Sequence, residues 1–539
     1  MAAEALHQSR LPDPFRDGVA GGWNVIDASA LDADVAIDAD VAIVGTGAGG
    51  GTAAEILSDA GLKVIMIEEG PLATSSNFRM HEAEAYPQLY QESAGRKTRD
   101  KAINILQGRC VGGSTTVNWT SSFRTPTTTL DYWAGEFGIS GFSAADLAPW
   151  FERMETRLNI TAWPVEPNAN NDVLRRGAQA LNIPAGAIRR NVNGCWNIGY
   201  CGMGCPTNAK QSMLVTTIPA ALNRGATLVT RARAWMLDHH GERVTALNCI
   251  GLDSRGADPT ARRIRVRAKT FIAAGGAIGT PALLLRSKVP DPQAIVGKRT
   301  FLHPTVVSAA LMPERVDGYA GAPQTIYSDH FLDSMPLHGP IGYKLEVPPL
   351  HPILVATTLP SFGNAHAAWM REFPHLQVVI ALLRDGFHPH SGGGSVGLQD
   401  DGSPWLDYPL NDYFWSGARR ALLTMAQIQF AAGATTVMPV QTSGARYSNW
   451  DAARIGIEAA PLAPLATTVV SAHVMGGCPL GGDAKRAAVD LTGRYQHLDN
   501  LYVFDGSLFP TSIGANPQLS IYGVVAKLAS GLSLRLAQR

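Results

Sequence analysis

The chain has 539 residues, with 45 basic and 45 acidic side chains, so its formal net charge is zero. This balance gives no reason to expect a nucleic acid or an anionic membrane as a partner. Apolar residues make up 45% of the chain and charged residues 17%, which excludes a disordered protein and indicates a globular one with a large core. No stretch reaches the roughly eighteen uncharged apolar residues that predict a transmembrane helix.

The cysteine content and the N-terminal segment suggest a compartment. Six cysteines in a chain of this length are too few for a disulfide scaffold. Residues 1–40 have neither a basic start nor the continuous apolar segment of a signal peptide. We therefore expect a soluble, cytoplasmic protein. The residues indicate no particular oligomeric state.

Two neighbouring segments near the N-terminus differ sharply in composition. Residues 1–39 are polar, with Pro, Gly and Asp, and we expect an extended arm there. The following segment, DVAIVGTGAGGGTAAEILSDAGLKVIMIEEG, predicts a buried strand at 41–44, a glycine turn, a helix at 51–60 and a second buried strand at 64–67.

The glycine turn has the spacing of a dinucleotide-binding fingerprint. Gly45, Gly47 and Gly50 form G-x-G-x-x-G, in which the first glycine makes the turn, the second lets backbone approach a pyrophosphate and the third lets helix and strand pack closely. The helix N-terminus then offers free N–H groups to the phosphates. Glu68 ends the second strand, where a carboxylate can accept from ribose hydroxyls. The alternative is a glycine-rich surface turn.

Similar signals recur much later in the chain. Residues 127–160 predict a helical region, and residues 228–250 predict a hairpin with HHGE as its turn. A strand, glycine turn and helix follow in RRIRVRAKTFIAAGGAIGTPALLLRSK, and a strand and a final helix from about residue 518 end the chain. Residues 301–465 carry no nucleotide signature. This distribution predicts one discontinuous nucleotide-binding domain with a second domain inserted into it.

A second glycine cluster favours FAD over NAD as the dinucleotide. GRCVGGSTTVNWTSSFRTP contains Gly112, Gly113 and Ser114, followed by Asn118. A second loop in which the backbone can approach a ligand closely suits a larger cofactor, because the flavin end of FAD also needs a surface to pack against. The C-terminal segment NLYVFDGSLFPTSIGANPQLSIYGVVAKLA adds a third return of the chain, which NAD-dependent enzymes generally do not need.

These motifs, in this order, resemble the glucose–methanol–choline (GMC) oxidoreductases. The resemblance rests on the N-terminal fingerprint, the Gly112–Asn118 loop, GGAIGTPALLLRSK, HVMGGC and DGSLFPTSIGANP. Lys288 departs from the glycine that usually ends the central signature. The resemblance implies an α/β fold: a discontinuous, Rossmann-like FAD-binding domain with an inserted α+β substrate domain built on an antiparallel sheet. The implied division is an arm (1–39), the first part of the FAD domain with its lid and loop segments (40–300), the substrate domain (301–465) and the C-terminal return of the FAD domain (466–539).

Two groups within the family are most similar. HVMGGC with NLYVFDGSLFPTSIGANP resembles the cholesterol-oxidase type, whereas YCGMGCPTNAKQS and GYKLEVPPLHP resemble the long-chain alcohol oxidases. The resemblance implies FAD-dependent oxidation of an alcohol, apolar and fairly large, to an aldehyde or ketone. O2 is the expected electron acceptor. The alternatives are a dehydrogenase with a quinone, dye or cytochrome acceptor, a non-redox lyase, and a binding or electron-transfer subunit.

The resemblance also implies roles for particular positions. His473 and Asn516 match the two active-site positions. Asp505 and Gly506 match residues near the ribityl–pyrophosphate region, and Gly113 and Asn118 match the loop over the cofactor. Apart from the resemblance, we expect Val229, in ATLVTRA, to contact the adenine through backbone groups. Val117 stands where some members carry a histidine bonded covalently to the flavin, so we expect non-covalent FAD.

The chemistry explains why these residue types are needed. Oxidation of an alcohol removes a hydride from carbon and a proton from oxygen, and imidazole accepts a proton near neutral pH. An amide such as that of Asn516 can hold the substrate oxygen in place. The competing interpretations are a core histidine for His473 and a turn residue before Pro517 for Asn516.

Other candidates have structural explanations. Cys195, Cys201 and Cys205 have the spacing C-x5-C-x3-C, which is not a ferredoxin pattern, so a packed loop is favoured over an iron–sulfur cluster. We interpret Cys478 as a small buried residue. His303 and His351 each precede proline, and we expect them to shape turns or to line the substrate cavity. No other spacing predicts a metal site.

Overall fold

The computed structural model describes residues 13–538. The strands, in chain order, are β1 (Asn24–Asp27), β2 (Val35–Val44), β3 (Val64–Ile67), β4 (Ile103–Ile105), β5 (Ile160–Ala162), β6 (Gly186–Ala187), β7 (Arg189–Asn191), β8 (Thr227–Thr230), β9 (Ala232–His240), β10 (Arg243–Leu252), β11 (Pro259–Ala273), β12 (Lys298–Phe301), β13 (Thr305–Leu311), β14 (Ile326–Ser328), β15 (Tyr343–Glu346), β16 (Leu376–Leu383), β17 (Gly394–Leu398), β18 (Pro404–Asp407), β19 (Thr436–Pro439), β20 (Val469–Ser471), β21 (Met475–Gly476) and β22 (Leu501–Val503).

The α-helices, in chain order, are α1 (Pro14–Ala20), α2 (Ala48–Asp59), α3 (Glu82–Leu89), α4 (Ser114–Val117), α5 (Thr127–Phe137), α6 (Ala144–Arg157), α7 (Ala169–Ala180), α8 (Thr217–Asn223), α9 (Gly276–Arg286), α10 (His330–Asp333), α11 (Pro352–Thr358), α12 (Gly363–Arg371), α13 (Asp412–Ala431), α14 (Trp450–Ala459) and α15 (Gln518–Ala537). Short 3-10 helices cover 28–30, 91–94, 201–203, 373–375 and 506–508.

The first sheet has the strand order β1-β8-β3-β2-β11-β10-β9, with β22 also paired to β11. Strands β1, β8, β3, β2 and β11 run parallel, as does β22, whereas β10 and β9 continue as an antiparallel meander. The strand–turn–helix–strand predicted from residue 40 forms its centre as β2, α2 and β3. The first strand begins earlier than predicted, because β2 is extended by pairing with β11.

The described part of the predicted N-terminal arm is structured, so that prediction is wrong there; residues 1–12 lie outside the described residues. Asp13 caps α1 by accepting from the backbone N–H groups of Phe15 and Arg16, each at 3.2 Å. Phe15 is buried against Trp23. Strand β1 then pairs with β8, about two hundred residues away in sequence. Local composition does not reveal such a distant partner.

The second sheet has the order β4-β20-β13-β16-β15-β14-β6, with β19 also paired to β13. It is antiparallel except where β20 pairs with β4. Helix α13 covers one face, and the pair α11 and α12 covers the other. Strands β4 and β6 precede residue 300 and β20 follows residue 465, so this sheet draws on sequence on both sides of the predicted substrate domain.

Two of the predicted elements are divided in the structure. The helical region 127–160 is divided into α5 and α6, because Gly138 ends α5 in the left-handed conformation at φ 61°. The hairpin predicted at 228–250 is β9–β10, turning at Gly241, while β8 precedes it as a separate parallel strand. The final helix begins at Gln518, as predicted.

Helix α15 is the one described helix long and apolar enough to cross a membrane by length and composition. More than half of that apolar window, 56%, is buried inside the protein. It packs against α2 and α6, which are the contacts of a core helix in the nucleotide-binding half.

Candidate active site

A large open cleft, of about 1340 Å³, runs past the carboxyl ends of β2, β3 and β11. This is where parallel α/β sheets bind their ligands. Ten of the predicted site residues line it: Gly45, Gly47, Glu68, Gly113, Ser114, Asn118, His473, Asp505, Gly506 and Asn516. Segments that are far apart in sequence therefore meet around one cleft, whereas Gly50, Gly112 and Val229 do not line it.

The two glycine loops leave bare backbone facing the cleft. A Cβ on Gly45, which has φ 94°, would lie 2.3 Å from the Ala274 carbonyl oxygen. A Cβ on Gly113 would lie 2.8 Å from Cα of Gly47, so the two loops touch through glycine. Gly50 packs on the carbonyl of Gly45 and serves helix–strand packing. This bare cradle at the N-terminus of α2 fits a pyrophosphate.

Glu68 ties the first loop together as well as facing the cleft. One carboxylate oxygen accepts from the backbone N–H (3.1 Å) and hydroxyl (2.6 Å) of Thr46, and the other accepts from the N–H of Gly70 (2.9 Å). Burial raises the pKa of Glu68, against these hydrogen bonds. Because the Thr46 hydroxyl also accepts from the Gly112 N–H at 2.9 Å, Glu68 links both glycine loops, and this contact gives Gly112 a structural role.

Asp505 joins the central glycine turn to the C-terminal return. One of its carboxylate oxygens accepts from the N–H of Gly276 at 2.8 Å and from the hydroxyl of Thr280 at 2.6 Å. The other accepts from the N–H of Ser507 at 2.8 Å. The pKa of Asp505 is raised by burial. This residue therefore holds the start of α9 and Gly506 against the same stretch of the cleft.

Asn118 is held from two sides. Its amide donates to Oε1 of Gln518 at 2.7 Å, and its backbone carbonyl accepts from Nζ of Lys210 at 2.9 Å. Lys210 also donates to the carbonyl of Cys201 at 2.7 Å, and burial lowers its pKa to about 8. The cysteine loop is thus fastened to the loop beside the cleft. Gln518 and Lys210 were not predicted as site residues, although both lie in segments that carry the family resemblance, because their contacts with Asn118 join parts of the chain that are far apart in sequence.

Val229, whose backbone was expected to contact the adenine, does not line the cleft. This residue is fully buried in β8, and its carbonyl accepts from the N–H of Glu68 at 2.8 Å. Residues 232–235 line the cleft instead. Arg109 and Arg233 flank Glu69 there, at 3.1 and 3.0 Å. The stretch of chain after β8 that faces the cleft is therefore 232–235.

His473 lies beside a second histidine. Its Nδ1 is 3.2 Å from Nδ1 of His303, and the two rings have centroids 5.4 Å apart. His303 is fully buried, whereas His473 is partly exposed to the cleft. Burial and the charge of Lys344 lower the pKa of His473 to about 3. Both rings are neutral near pH 7, since the pKa of His303 is also lowered by burial.

Asn516 is anchored by a carboxylate from the second sheet. Its amide nitrogen donates to Oε2 of Glu346 at 3.2 Å, and Gln324 donates to the same oxygen at 2.8 Å. The remaining oxygens, Oδ1 of Asn516 and Oε1 of Glu346, are buried without a hydrogen-bond partner. Buried polar atoms of this kind normally have partners, so the arrangement fits a bound ligand that supplies a donor.

Glu346 and Lys344 were missed by the sequence interpretation. Both are fully buried in β15. Burial raises the pKa of Glu346 to about 7, against the charge of Lys344. The Lys344 ammonium donates to Asp329 at 2.7 Å and lies over the ring of Phe123. The sequence feature that could have revealed Lys344 and Glu346 is GYKLEV, in which charged residues alternate with apolar ones inside a strand.

None of the six cysteines lines the cleft, and neither does His351. All six cysteines are free thiols, and Cys478 is buried. Within residues 13–538, no group of three His, Cys, Asp or Glu side chains is placed to hold a metal ion. His351 stacks on Tyr200 of the cysteine loop, with centroids 5.2 Å apart.

Comparisons with known proteins identify the family. The GMC oxidoreductase N-terminal and C-terminal models match residues 66–305 and 389–524. An uncharacterised GMC-type oxidoreductase of Sinorhizobium fredii is 29% identical, covering 94% of this chain and 96% of that protein. A long-chain-alcohol oxidase of Arabidopsis thaliana is 28% identical, covering 93% and 69%. The 6'''-hydroxyparomomycin C oxidase of Streptomyces lividus is 28% identical, covering 99% and 96%.

Solved structures share the fold. Pyridoxine 4-oxidase from Mesorbium loti superposes with a TM-score of 0.63 at 17% identity, covering 91% of this chain and 98% of that one. Formate oxidase from Aspergillus oryzae, studied for its FAD modification, gives 0.66 at 14% identity, covering 94% and 100%. The predicted fold class and cofactor are confirmed. The chain belongs to the GMC oxidoreductase family and is an FAD-dependent oxidoreductase acting on CH–OH donors.

Proposed function

We propose that this enzyme oxidises an apolar alcohol, long-chain or sterol-like, to an aldehyde or ketone, with O2 as electron acceptor. The observation that carries the substrate class is an apolar wall beside the polar residues of the site. Strand pairing sets Glu346 opposite Ile380, and Ile380 opposite Val307. Directly paired residues share one face of a sheet, so this apolar row begins next to the carboxylate that holds Asn516.

The wall continues away from the site. The next row of the same face pairs Val378 with Ala309. These residues belong to one buried cluster with Val355 of α11 and Trp369 of α12, which cover the sheet. Because α11 and α12 already cover these residues, a hydrocarbon chain would reach them only by displacing part of that cover, and its burial there would be worth about 0.8 kcal/mol per CH2. The similarity to a long-chain-alcohol oxidase supports the same substrate class.

His473 is proposed as the acceptor of the hydroxyl proton. Its Nε2 makes no hydrogen bond to any residue in 13–538, while its Nδ1 faces His303. Because the pKa of His473 is lowered, the ring is neutral and has a free lone pair over the whole neutral range. Asn516 is proposed to orient the substrate oxygen, since one N–H of its amide is fixed by Glu346 and the other can donate to that oxygen while the hydroxyl proton goes to His473.

The cofactor fits the cleft that these residues share. The glycine loops at Gly45 and Gly113 would hold the pyrophosphate, Glu68 a ribose, and Asp505 with Gly506 the adjoining region. When bound, FAD accepts the hydride that leaves the alcohol carbon. The protein residues position the alcohol, take its proton and exclude water.

The acceptor and the location are proposed on separate grounds. O2 is favoured because the long-chain-alcohol and hydroxyparomomycin relatives are named oxidases. A cytoplasmic location is favoured because all six cysteines are free thiols, which is usual in reducing compartments. Subcellular fractionation of the native host tests this location directly.

An anaerobic titration tests the proposed function. Purified holoenzyme is mixed with straight-chain alcohols of increasing length, sterols and sugars, and the flavin absorption is followed before air is admitted. We expect bleaching whose efficiency rises with chain length or with a sterol, and rapid recolouring in air. Equal or better bleaching by sugars would contradict the substrate class. Recolouring only with a quinone or dye would contradict O2, and no bleaching by any alcohol would contradict the reaction itself.

A further inference from the structure

We propose that His303 is a positioning residue: its ring nitrogen Nδ1 accepts a hydrogen bond from Nδ1–H of His473 and thereby keeps Nε2 of His473 free to take the substrate proton. The inference deepens the proposed function and rests on it for the direction of proton transfer. In the sequence, His303 was interpreted as part of a His-Pro pair that shapes a turn or lines the substrate cavity, without a role in positioning His473.

The contact between the two rings is a hydrogen bond by distance. The nitrogens are 3.2 Å apart, and the ring planes differ by 31°. Two neutral imidazoles can form this bond only if one nitrogen carries a proton and the other presents a lone pair. The proton on one ring therefore decides the tautomer of both.

Hydrogen bonds to the carboxylate of Asp385, called the clamp below, hold the backbone around His303 in an unfavourable conformation. His303 has φ 48°, in the left-handed region, and it is followed by Pro304. Such a conformation is unfavourable for a residue other than glycine and clusters at functional sites. Asp385 accepts from the N–H of His303 at 3.1 Å and from that of Leu302 at 3.0 Å. Tyr408 donates to the same carboxylate at 2.5 Å.

The clamp fixes the position of the ring. His303 is fully buried, with 0% of its surface accessible from the cleft or from solvent. A ring that served packing alone would not need a strained backbone or a buried carboxylate to hold it. This arrangement holds Nδ1 of His303 in a fixed position beside Nδ1 of His473.

The proposed function sets the direction of the bond. A His473 ring that takes the substrate proton at Nε2 must carry its own proton on Nδ1, so Nδ1 of His303 is the acceptor. His303 then carries its proton on Nε2, which is buried without a hydrogen-bond partner. With its proton on Nδ1, His473 keeps a lone pair on Nε2, which is the state that a proton acceptor needs.

Nuclear magnetic resonance tests the tautomer without any substrate. Holoenzyme labelled with 15N only in its 14 histidines is measured near neutral pH, and the His473 signals are assigned by their loss in His473→Asn. We expect Nδ1 of His473 to be protonated and Nε2 to be unprotonated. Protonation at Nε2, or a mixture of the two tautomers, would overturn the proposal.

Matched variants test the effect on the reaction. His303→Asn places an acceptor oxygen near the position of Nδ1, whereas His303→Leu has similar bulk and no acceptor. We expect anaerobic flavin reduction by alcohol to stay within about tenfold of wild type in the first and to fall further in the second, by up to the roughly 10⁴-fold that accompanies the wrong tautomer of a catalytic histidine. His303→Leu should also shift His473 towards the Nε2–H tautomer. Equal rates in the two variants would show that His303 serves only packing.

The two proposals fail in different ways. If no alcohol reduces the wild-type flavin while His473 is protonated at Nδ1, the proposed function fails and the tautomer assignment stands. If alcohol reduces the flavin but His473 carries its proton on Nε2, the positioning role of His303 fails and the oxidation stands. FAD content and unfolding temperature of each variant are recorded alongside, so that a folding defect is recognised.

Discussion

The amide of Asn516 donates a 3.2 Å hydrogen bond to the carboxylate of Glu346, joining the C-terminal return to the second sheet. The two residues are 170 positions apart in sequence. The contact sets the orientation of Asn516 and places a titratable group with a pKa raised to about 7 directly behind the site.

Replacing Glu346 by Gln should change how stability depends on pH. A raised pKa means that native Glu346 retains a proton that the unfolded chain releases between pH 4.5 and about 7, so this group lowers wild-type stability as pH rises through that window. Glutamine keeps an acceptor for Asn516 without the charge. We expect equal stability near pH 4 and a variant more stable by about 1–3 kcal/mol at pH 8. Denaturant unfolding at both pH values measures this.

The charged groups facing Glu346 define the control. Lys344 lowers its pKa and Asp329 raises it, and both remain in Glu346→Gln. Glu458→Gln changes a carboxylate on the surface of α14 and should give the same stability difference at both pH values. A Glu346→Gln variant that is less stable than wild type at pH 8 would show that the ionised carboxylate is favourable.

Replacing Asp505 by Ala should weaken cofactor retention and stability together. The change leaves the N–H groups of Gly276 and Ser507 buried without partners. We expect a loss of about 2–4 kcal/mol in the free energy of unfolding and a lower ratio of FAD to protein after purification. Asp451→Ala, an exposed position on α14, is the control. Full FAD content in Asp505→Ala would separate this residue from cofactor binding.

The cofactor should leave the denatured protein. Val117 lies in α4, and its side chain has no group that could form a bond to the flavin. Acid precipitation of the holoenzyme should therefore release yellow FAD into the supernatant. Absorption spectra of the supernatant and the redissolved pellet measure the distribution. Flavin that stays with the pellet would refute the non-covalent prediction.

Reshaping the apolar wall should change the preferred chain length. Val307→Phe adds bulk to the row that begins at Glu346 and should lower kcat/KM for long alcohols by tenfold or more, while short alcohols change little; one methylene in such a pocket is worth about 10–200-fold. Ile380→Ala removes bulk from the same row and should favour longer or branched alcohols. Parallel loss for all chain lengths would mean that this face does not contact substrate.

Local signals allowed much of the nucleotide-binding half to be predicted. The G-x-G-x-x-G spacing is visible because φ of Gly45 and the close approach at Gly50 demand glycine at fixed positions. The buried strands beside it read as continuous apolar runs. The fold class, cofactor and family follow from these signals and from the order of the motifs.

The residues that depend on distant pairing could not be predicted. Glu346 stands out only once β15 is placed beside Asn516, and strand β1 only once β8 is its neighbour. Val229 was predicted to reach the adenine, but the structure buries it behind Glu68. His303 and His473 were both candidates in the sequence, but the contact between their rings could be identified only from the three-dimensional arrangement.

The most direct measurement of the mechanism is the single-turnover rate of flavin reduction by a bleaching alcohol in wild type, His473→Ala and His473→Asn, without O2. His240→Ala, at the surface hairpin, is the control. We expect FAD to stay bound and both His473 variants to reduce the flavin about 10²–10⁴-fold more slowly, because neither side chain accepts a proton near neutral pH. Flavin reduction at close to the wild-type rate in His473→Ala would contradict the role of His473 as proton acceptor.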